Sequence, residues 1–346
     1  MLRPKRIVML LFEFFALSIT LQVRLRAQDA RPSNYTKALS GSTRRIVFEN
    51  GAFFGTSTGA PKWDNGYLVS REVETFQAGV PNVQLYDQSG KQARAASIWF
   101  PGAARVLMYS ATATSDGRII AAGVTEKSDD TAASFIALTD LAGKITNVIQ
   151  TKGFAPVNVC PAPDGTVWSF GGTGSDEQKH IEPNPGDTLR HFDFQKGEVA
   201  SYLPRSGFPS RPRPEVSAQI RCSADEVFVY SSNAHVYIEM KYSGGAPQVY
   251  PAEAPSGLRF HGFAATGSKK AYAYFSKLGD GGLFFLSLDE TSKTARWLPV
   301  EGTVGVYTKP GRITGLWGSD GDNLVVSRAE DRTGQTAFHW ATPVDK

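Results

Sequence analysis

A short turn signal followed by an apolar run recurs six times along the chain, and this repetition constrains the fold more than any single residue. The turns are Asn65-Gly66, Asp116-Gly117, Asp164-Gly165, Asp225-Glu226, Gly267-Ser268 and Asp320-Gly321. The runs after them are Tyr67 to Val69, Arg118 to Ala121, Thr166 to Trp168, Val227 to Tyr230, Ala271 to Tyr274 and Leu324 to Val326. Successive turns lie 51, 48, 61, 42 and 53 residues apart. Asn-Gly and Asp-Gly supply the positive φ angles that tight hairpins require. A fixed period of this length marks stacked or radial repeats, each a supersecondary unit that cannot bury its own apolar face.

A second signal follows inside most units, where an apolar run ends in a polar residue and a turn. Val83 to Asp87 leads into Ser89-Gly90-Lys91, and Phe135 to Asp140 into Ala142-Gly143-Lys144. Leu189 to Asp193 precedes Lys196-Gly197, His235 to Glu239 precedes Ser243-Gly244-Gly245, and Leu283 to Asp289 precedes Thr291-Ser292-Lys293. A further strand follows each of these turns. Each unit therefore contains four strands, A to D, with a tight A–B turn, a longer B–C loop and a short C–D turn. No amphipathic helical pattern competes after residue 30. Four short antiparallel strands at this period predict an all-β fold, a six-bladed β-propeller of four-stranded blades. A pair of β-sandwiches is the competing reading, and the regular repetition argues against it. The sixth unit lacks a strand D before the chain stops at Lys346, and Arg44 to Glu49 is left over ahead of the first blade. Supplying the missing strand from the N-terminal side closes the ring and removes the exposed sheet edge. The propeller is expected over 43–346.

The period, with segments such as Pro163-Asp164-Gly165-Thr166-Val167-Trp168, resembles the broad superfamily of exported six-bladed propellers that includes NHL-type, TolB-like and gluconolactonase-like proteins. The resemblance spans roughly residues 43–346 and implies a fold and a compartment. It matches no single family closely enough to carry site residues across. The Pro163–Trp168 segment does not keep the order of a sialidase Asp-box.

The first 27 residues read as a signal peptide. Arg3, Lys5 and Arg6 form a basic start, Ile7 to Val23 an apolar middle, and Ala27 a small residue at the cleavage point. An uncleaved anchor is the alternative. Glu13 argues against it, because an acid at mid-span costs about 2.5–3.5 kcal/mol. Residues 28–42 are polar and read as a flexible linker. The whole chain carries a net charge of +4, but without residues 1–27 it has 32 basic and 32 acidic residues. The basic balance thus gives no ground for a nucleic-acid partner. The expected setting is secreted or periplasmic, as a monomer, with no stable membrane insertion after cleavage.

The sequence offers little catalytic chemistry. Gly-x-Ser-x-Gly, His-Glu-x-x-His, P-loop and dinucleotide patterns are absent, and no cofactor or metal is expected. Asp320-Gly321-Asp322-Asn323 has the flavour of a calcium loop but lacks the later bidentate acid. A hairpin turn explains it better. Of the five histidines, His191, His235 and His339 fall in strands C and His180 in a polar loop. His261 falls in an innermost strand A, beside the central channel. The two cysteines, Cys160 and Cys222, occupy nearly equivalent positions at the ends of neighbouring strands A. A disulfide and two buried thiols are the open alternatives. The longest loops, Gly171 to Thr188 and Leu203 to Glu215, map to one face beside the third and fourth blades. Arg105, Arg213, Arg259 and Arg312 lie where strands A begin, at that same face. Around a channel mouth they would favour a small anionic ligand or an acidic protein partner. Alternatively, each pairs with a local acid such as Glu215 or Glu301. The leading expectation is a binding or protein-interaction propeller outside the cytoplasm without catalysis. The alternative is a propeller hydrolase or lactonase, with or without a metal, and bound metal would discriminate between the two.

Overall fold

The computed structural model describes residues 37–48, 59–173, 186–208, 213–306, 311–329 and 337–345. The residues read as a signal peptide, Glu49, residues 174–185 of the first long loop (His180 among them) and residues 209–212 of the second lie outside this set. Within the stretch read as linker, residues 28–36 also lie outside it, whereas Lys37–Leu39 forms a strand, β1. Next comes β2 (Arg44–Val47). The first blade is β3 (Lys62–Asp64), β4 (Tyr67–Arg71), β6 (Val83–Tyr86) and β7 (Gln92–Ala96), with a short β5 (Glu74–Thr75) between. Blade 2 is β8 (Ala103–Ala113), β9 (Ile119–Lys127), β10 (Ala132–Thr139) and β11 (Ile145–Gln150), and β5 adds to its inner edge. Blade 3 is β12 (Phe154–Pro161), β13 (Val167–Thr173), β14 (Asp187–Asp193) and β15 (Gly197–Pro204). Blade 4 is β16 (Ala218–Cys222), β17 (Glu226–Ser231), β18 (Val236–Lys241) and β19 (Gln248–Pro251). Blade 5 is β20 (Arg259–Ala265), β21 (Ala271–Lys277), β22 (Asp280–Asp289) and β23 (Thr294–Pro299), with β24 (Gly305–Val306) beside β22. Blade 6 takes β25 (Ile313–Asp320), β26 (Asn323–Arg328) and β27 (Ala337–Ala341) from the C-terminal side and β2 from the N-terminal side. The final strand, β28 (Pro343–Asp345), pairs with β1. This is the expected six-bladed propeller.

Closure is antiparallel, with Arg44 opposite Trp340 and Val47 opposite Ala337. The core is layered between the blades. In β17, Val227 and Val229 pack towards blade 3, while Phe228 and Tyr230 pack towards blade 5. Successive strand residues point to opposite faces, and both faces here are buried, so the strand reads as an unbroken apolar run. Burying one such large side chain contributes about 1.5–3 kcal/mol. The closing seam between blades 6 and 1 is as apolar as the others. Ile46, Phe48, Phe338 and Trp340 meet Trp63, Leu68 and Tyr86 there. The rings of Trp63 and Trp340 stand edge to face at 4.8 Å.

Two C–D turns dock the blades at close range. Gly90, at φ +84°, sits where a Cβ would lie 2.1 Å from the Val47 carbonyl oxygen of the closing strand. Gly143, at φ +81°, meets the Ala95 carbonyl in the same way at 2.3 Å. Only glycine satisfies both the left-handed backbone and the contact.

Candidate functional site

Four of the six innermost strands carry β-bulges, and each brings a further side chain to the axis. In β8 the register jumps from Met108 to Ser110, leaving Tyr109 as the extra residue. In β20 it jumps from Phe260 to Gly262, leaving His261, and in β25 from Leu316 to Gly318, leaving Trp317. In β12 it jumps from Ala155 to Asn158, past Val157. A bulge takes its extra residue out of the strand ladder and re-aims it. Tyr109, Val157, His261 and Trp317 all line one axial cavity of about 400 Å3, to which every blade contributes.

Three buried or half-buried cations line this cavity: Lys62 from β3, Arg71 from β4 and Arg221 from β16. Two of them cross the axis to a non-adjacent blade. Lys62 Nζ of blade 1 donates to the Val159 carbonyl of blade 3 at 3.1 Å. The Arg221 guanidinium of blade 4 reaches the Trp317 carbonyl of blade 6 at 3.5 Å and Gln219 Oε1 at 3.4 Å. Arg71 donates to the Met108 carbonyl at 2.6 Å. Among the described residues, the buried Arg221 Nε has no hydrogen-bond partner.

Two acids stand close by, each engaged through one oxygen; the buried Glu215 Oε2 has no hydrogen-bond partner among the described residues. Asp64 Oδ2 lies 3.3 Å from Lys62 Nζ and also accepts from Thr112 Oγ1. Glu215 is 1 % exposed, and its Oε1 accepts from Arg213 Nε at 2.7 Å. Gly172 leaves room for that carboxyl group, since a Cβ there would come within 2.9 Å of it. Arg71 and Arg221 are thus held by carbonyl and amide oxygens with no ion-pair partner among the described residues, and Asp64 acts on Arg221 only at longer range.

Burial disfavours the charged form of all three cations. It pushes the Lys62 ammonium down to about 8, aided by Arg221 and Arg71 and opposed by Asp64. Arg71 and Arg221 are lowered by burial too, although a guanidinium remains protonated throughout the working range. His261 is also lowered, first by burial and then by Arg259.

Arg221 lines a second, wider opening of about 1010 Å3 on the opposite face. The A–B turns surround that opening, among them Asn65-Gly66, Asp116, Asp225 and Gly321. A disulfide joins the next residue, Cys222, to Cys160 of blade 3, with the Cα atoms 5.6 Å apart. Among the described residues, no three or more His, Cys, Asp or Glu side chains group closely enough to hold a metal ion.

The arginines singled out by sequence are not part of the cavity wall. Arg105 pairs with Glu74 and Glu126, both at 2.6 Å. Arg213 pairs with Glu215, Arg312 donates to the Gly302 carbonyl, and Arg259 is exposed at the start of β20. His261 does line the cavity. His191 lies in strand C of its blade, stacked on Trp168 at 4.5 Å with Nε2 2.7 Å from Thr166 Oγ1. Lys62, Arg71 and Arg221 were missed. The available signal was a basic residue inside an otherwise apolar inner strand, as in Gln219-Ile220-Arg221-Cys222.

No protein-family model matches the sequence, and no curated protein matches it. Among solved structures, virginiamycin B lyase from Staphylococcus aureus is similar at 13 % identity and TM-score 0.42, covering 88 % of this chain and 99 % of that one. A gluconolactonase-like protein is similar at 14 % identity and TM-score 0.41, over 92 % of this chain and 96 % of that one. A functionally unknown protein from Desulfotomaculum acetoxidans matches at 15 % identity and TM-score 0.40, over 74 % and 72 %. None of these likenesses is close enough to carry an activity across.

Proposed function

We propose that this propeller is an extracytoplasmic binding module whose axial cavity takes a small anion, best a carboxylate or dicarboxylate, without transforming it. The observation that carries the reading is the excess of buried positive charge. Lys62, Arg71 and Arg221 share one cavity; Lys62 is matched by Asp64 beside it and Glu215 on its wall by Arg213, so the excess rests on the two guanidinium groups. An uncompensated buried charge is costly, and an anionic ligand offsets that cost. Planar guanidinium forks also match carboxylate geometry. A volume of about 400 Å3 falls in the range of small-molecule sites. The compartment rests on the basic-then-apolar pattern of residues 1–27 and on the Cys160–Cys222 disulfide, a bond that persists in oxidising surroundings.

Calorimetric titration with succinate and with inorganic phosphate at low ionic strength tests the reading. The expected outcome is one site per chain whose affinity falls as salt rises. Arg221→Gln should weaken binding about 10- to 100-fold, the worth of one charge-assisted hydrogen bond, with melting used to confirm the fold. Absence of binding by either anion, or equal affinity in the variant, refutes the proposal.

A further inference from the structure

Lys62 does more here than a fixed positive charge requires. If charge alone were needed, a guanidinium would hold it at any pH, and Arg71 and Arg221 already do so on the same wall. An amine differs in being able to shed its proton and use the nitrogen lone pair. We infer that Lys62 is a nucleophilic amine that captures a 2-oxo acid in the axial cavity as a reversible imine. The inference rests on the anion-binding reading above and specifies the ligand's chemical class.

The geometry supplies each part. Lys62 Nζ is anchored on the Val159 carbonyl at 3.1 Å and on Asp64 Oδ2 at 3.3 Å, within a wall it shares with both arginines. The Lys62 and Asp64 side chains are each 16 % exposed, so the amine is shielded yet borders the cavity. The guanidinium groups would hold carboxylates, and a 2-oxo acid carries its carbonyl carbon directly beside one. The charged groups around the amine are Asp64 on its own strand, Arg71 from β4 and Arg221 from β16, while Glu215 is taken up by Arg213. Desolvation and two neighbouring cations are the conditions that make a lysine nucleophilic, and they account for its lowered affinity for protons.

The step balances without any oxidant or reductant. The ammonium gives one proton to Asp64 Oδ2. The freed lone pair forms a C–N bond while the carbonyl π pair moves to oxygen, which takes a proton back from Asp64. The resulting carbinolamine is protonated at nitrogen; one nitrogen proton passes to its hydroxyl, which leaves as water while the nitrogen lone pair closes a protonated C=N bond. Hydrolysis reverses the sequence.

The test uses the mature wild-type chain with 2-oxoglutarate, trapping by borohydride, and peptide mapping by mass spectrometry. One reduced adduct is expected, on Lys62, with a yield that rises through about pH 8; surface lysines would respond near the ordinary 10.5. Calorimetry with 2-hydroxyglutarate, which has the same carboxylates and no carbonyl, runs in parallel. If that compound binds and trapping leaves Lys62 unmodified, or labels exposed lysines equally, the imine is overturned and anion binding stands. If neither compound binds and no adduct forms, both readings fall. Lys62→Arg, confirmed folded by its melting curve, should abolish the adduct; an adduct of undiminished yield in that variant also overturns the inference.

Discussion

Removing the Cys160–Cys222 bond offers the sharpest quantitative check on the fold. The bond links the inner strands of blades 3 and 4 across a sequence separation of 62 residues. In the chain-entropy model, a closed loop of that length takes about 14 cal/mol/K from the unfolded ensemble, or about 4 kcal/mol at 25 °C. The compact unit runs from Lys37 to Lys346. At about 2.1 cal/mol/K per residue, its unfolding entropy is about 650 cal/mol/K. A loss of about 4 kcal/mol then lowers Tm by about 6 °C. The double variant Cys160→Ala/Cys222→Ala should fall by at least this much in a calorimetric scan, because Cys160 is 1 % exposed and truncating it also leaves a void. A double variant that melts within a degree of the wild type, or two free thiols in protein from an oxidising compartment, would refute the brace.

Four further outcomes follow from the geometry. Gly90→Ala should cost about 2–4 kcal/mol of stability, since it adds a backbone clash with Val47 to an unfavourable φ; Gly165→Ala, at nearly the same φ but in open space, should cost only about 1–2 kcal/mol by denaturant titration. Deleting the chain up to and including Val47 removes the partner of β27 and should produce aggregation or a broad, non-cooperative melt. Arg105→Ala should cost about 1 kcal/mol of stability, as its ion pairs are partly solvent-exposed, and should leave titration of the cavity with succinate unchanged. Lys62 binds a proton less tightly folded than unfolded, so its burden on stability is full below pH 8 and is relieved as pH rises from about 8 to 10.5; comparison with Lys62→Gln should therefore show the wild type gaining relative stability across that window, and a constant difference would contradict the lowered pKa.

The architecture was legible because its determinants are local. Asn65, Gly66 and Gly165 adopt the positive φ that their turns demand, and runs such as Val227 to Tyr230 are apolar throughout because neighbouring blades cover both faces. Even the displaced sixth strand was visible, as an apolar segment without a blade. The site was far less legible. Arg105, Arg213, Arg259 and Arg312 share a position along their repeats, but position in the repeat does not say which group supplies a counter-charge. Glu74, which holds Arg105, comes from a two-residue strand inside a loop of the preceding blade. Lys62 and Arg71 stand on paired strands of the first blade, but Arg221 comes from the fourth and joins them only after the ring has closed. The bulges in β8, β12, β20 and β25 are departures from strand periodicity, so a reading based on periodicity passes over them. His261 was found because its strand was recognised as innermost.

The pairing of Arg44 with Trp340 also places a constraint on time. The closing strand β2 cannot find its partner until β27, near the other end of the sequence, has been made, so the ring has no route to completion while any blade is still missing. Contacts between such distant parts of a chain slow folding. Through that interval β27 presents a bare edge and the seam residues Trp63, Phe338 and Trp340 stay uncovered, the kind of surface that invites association between partly folded chains.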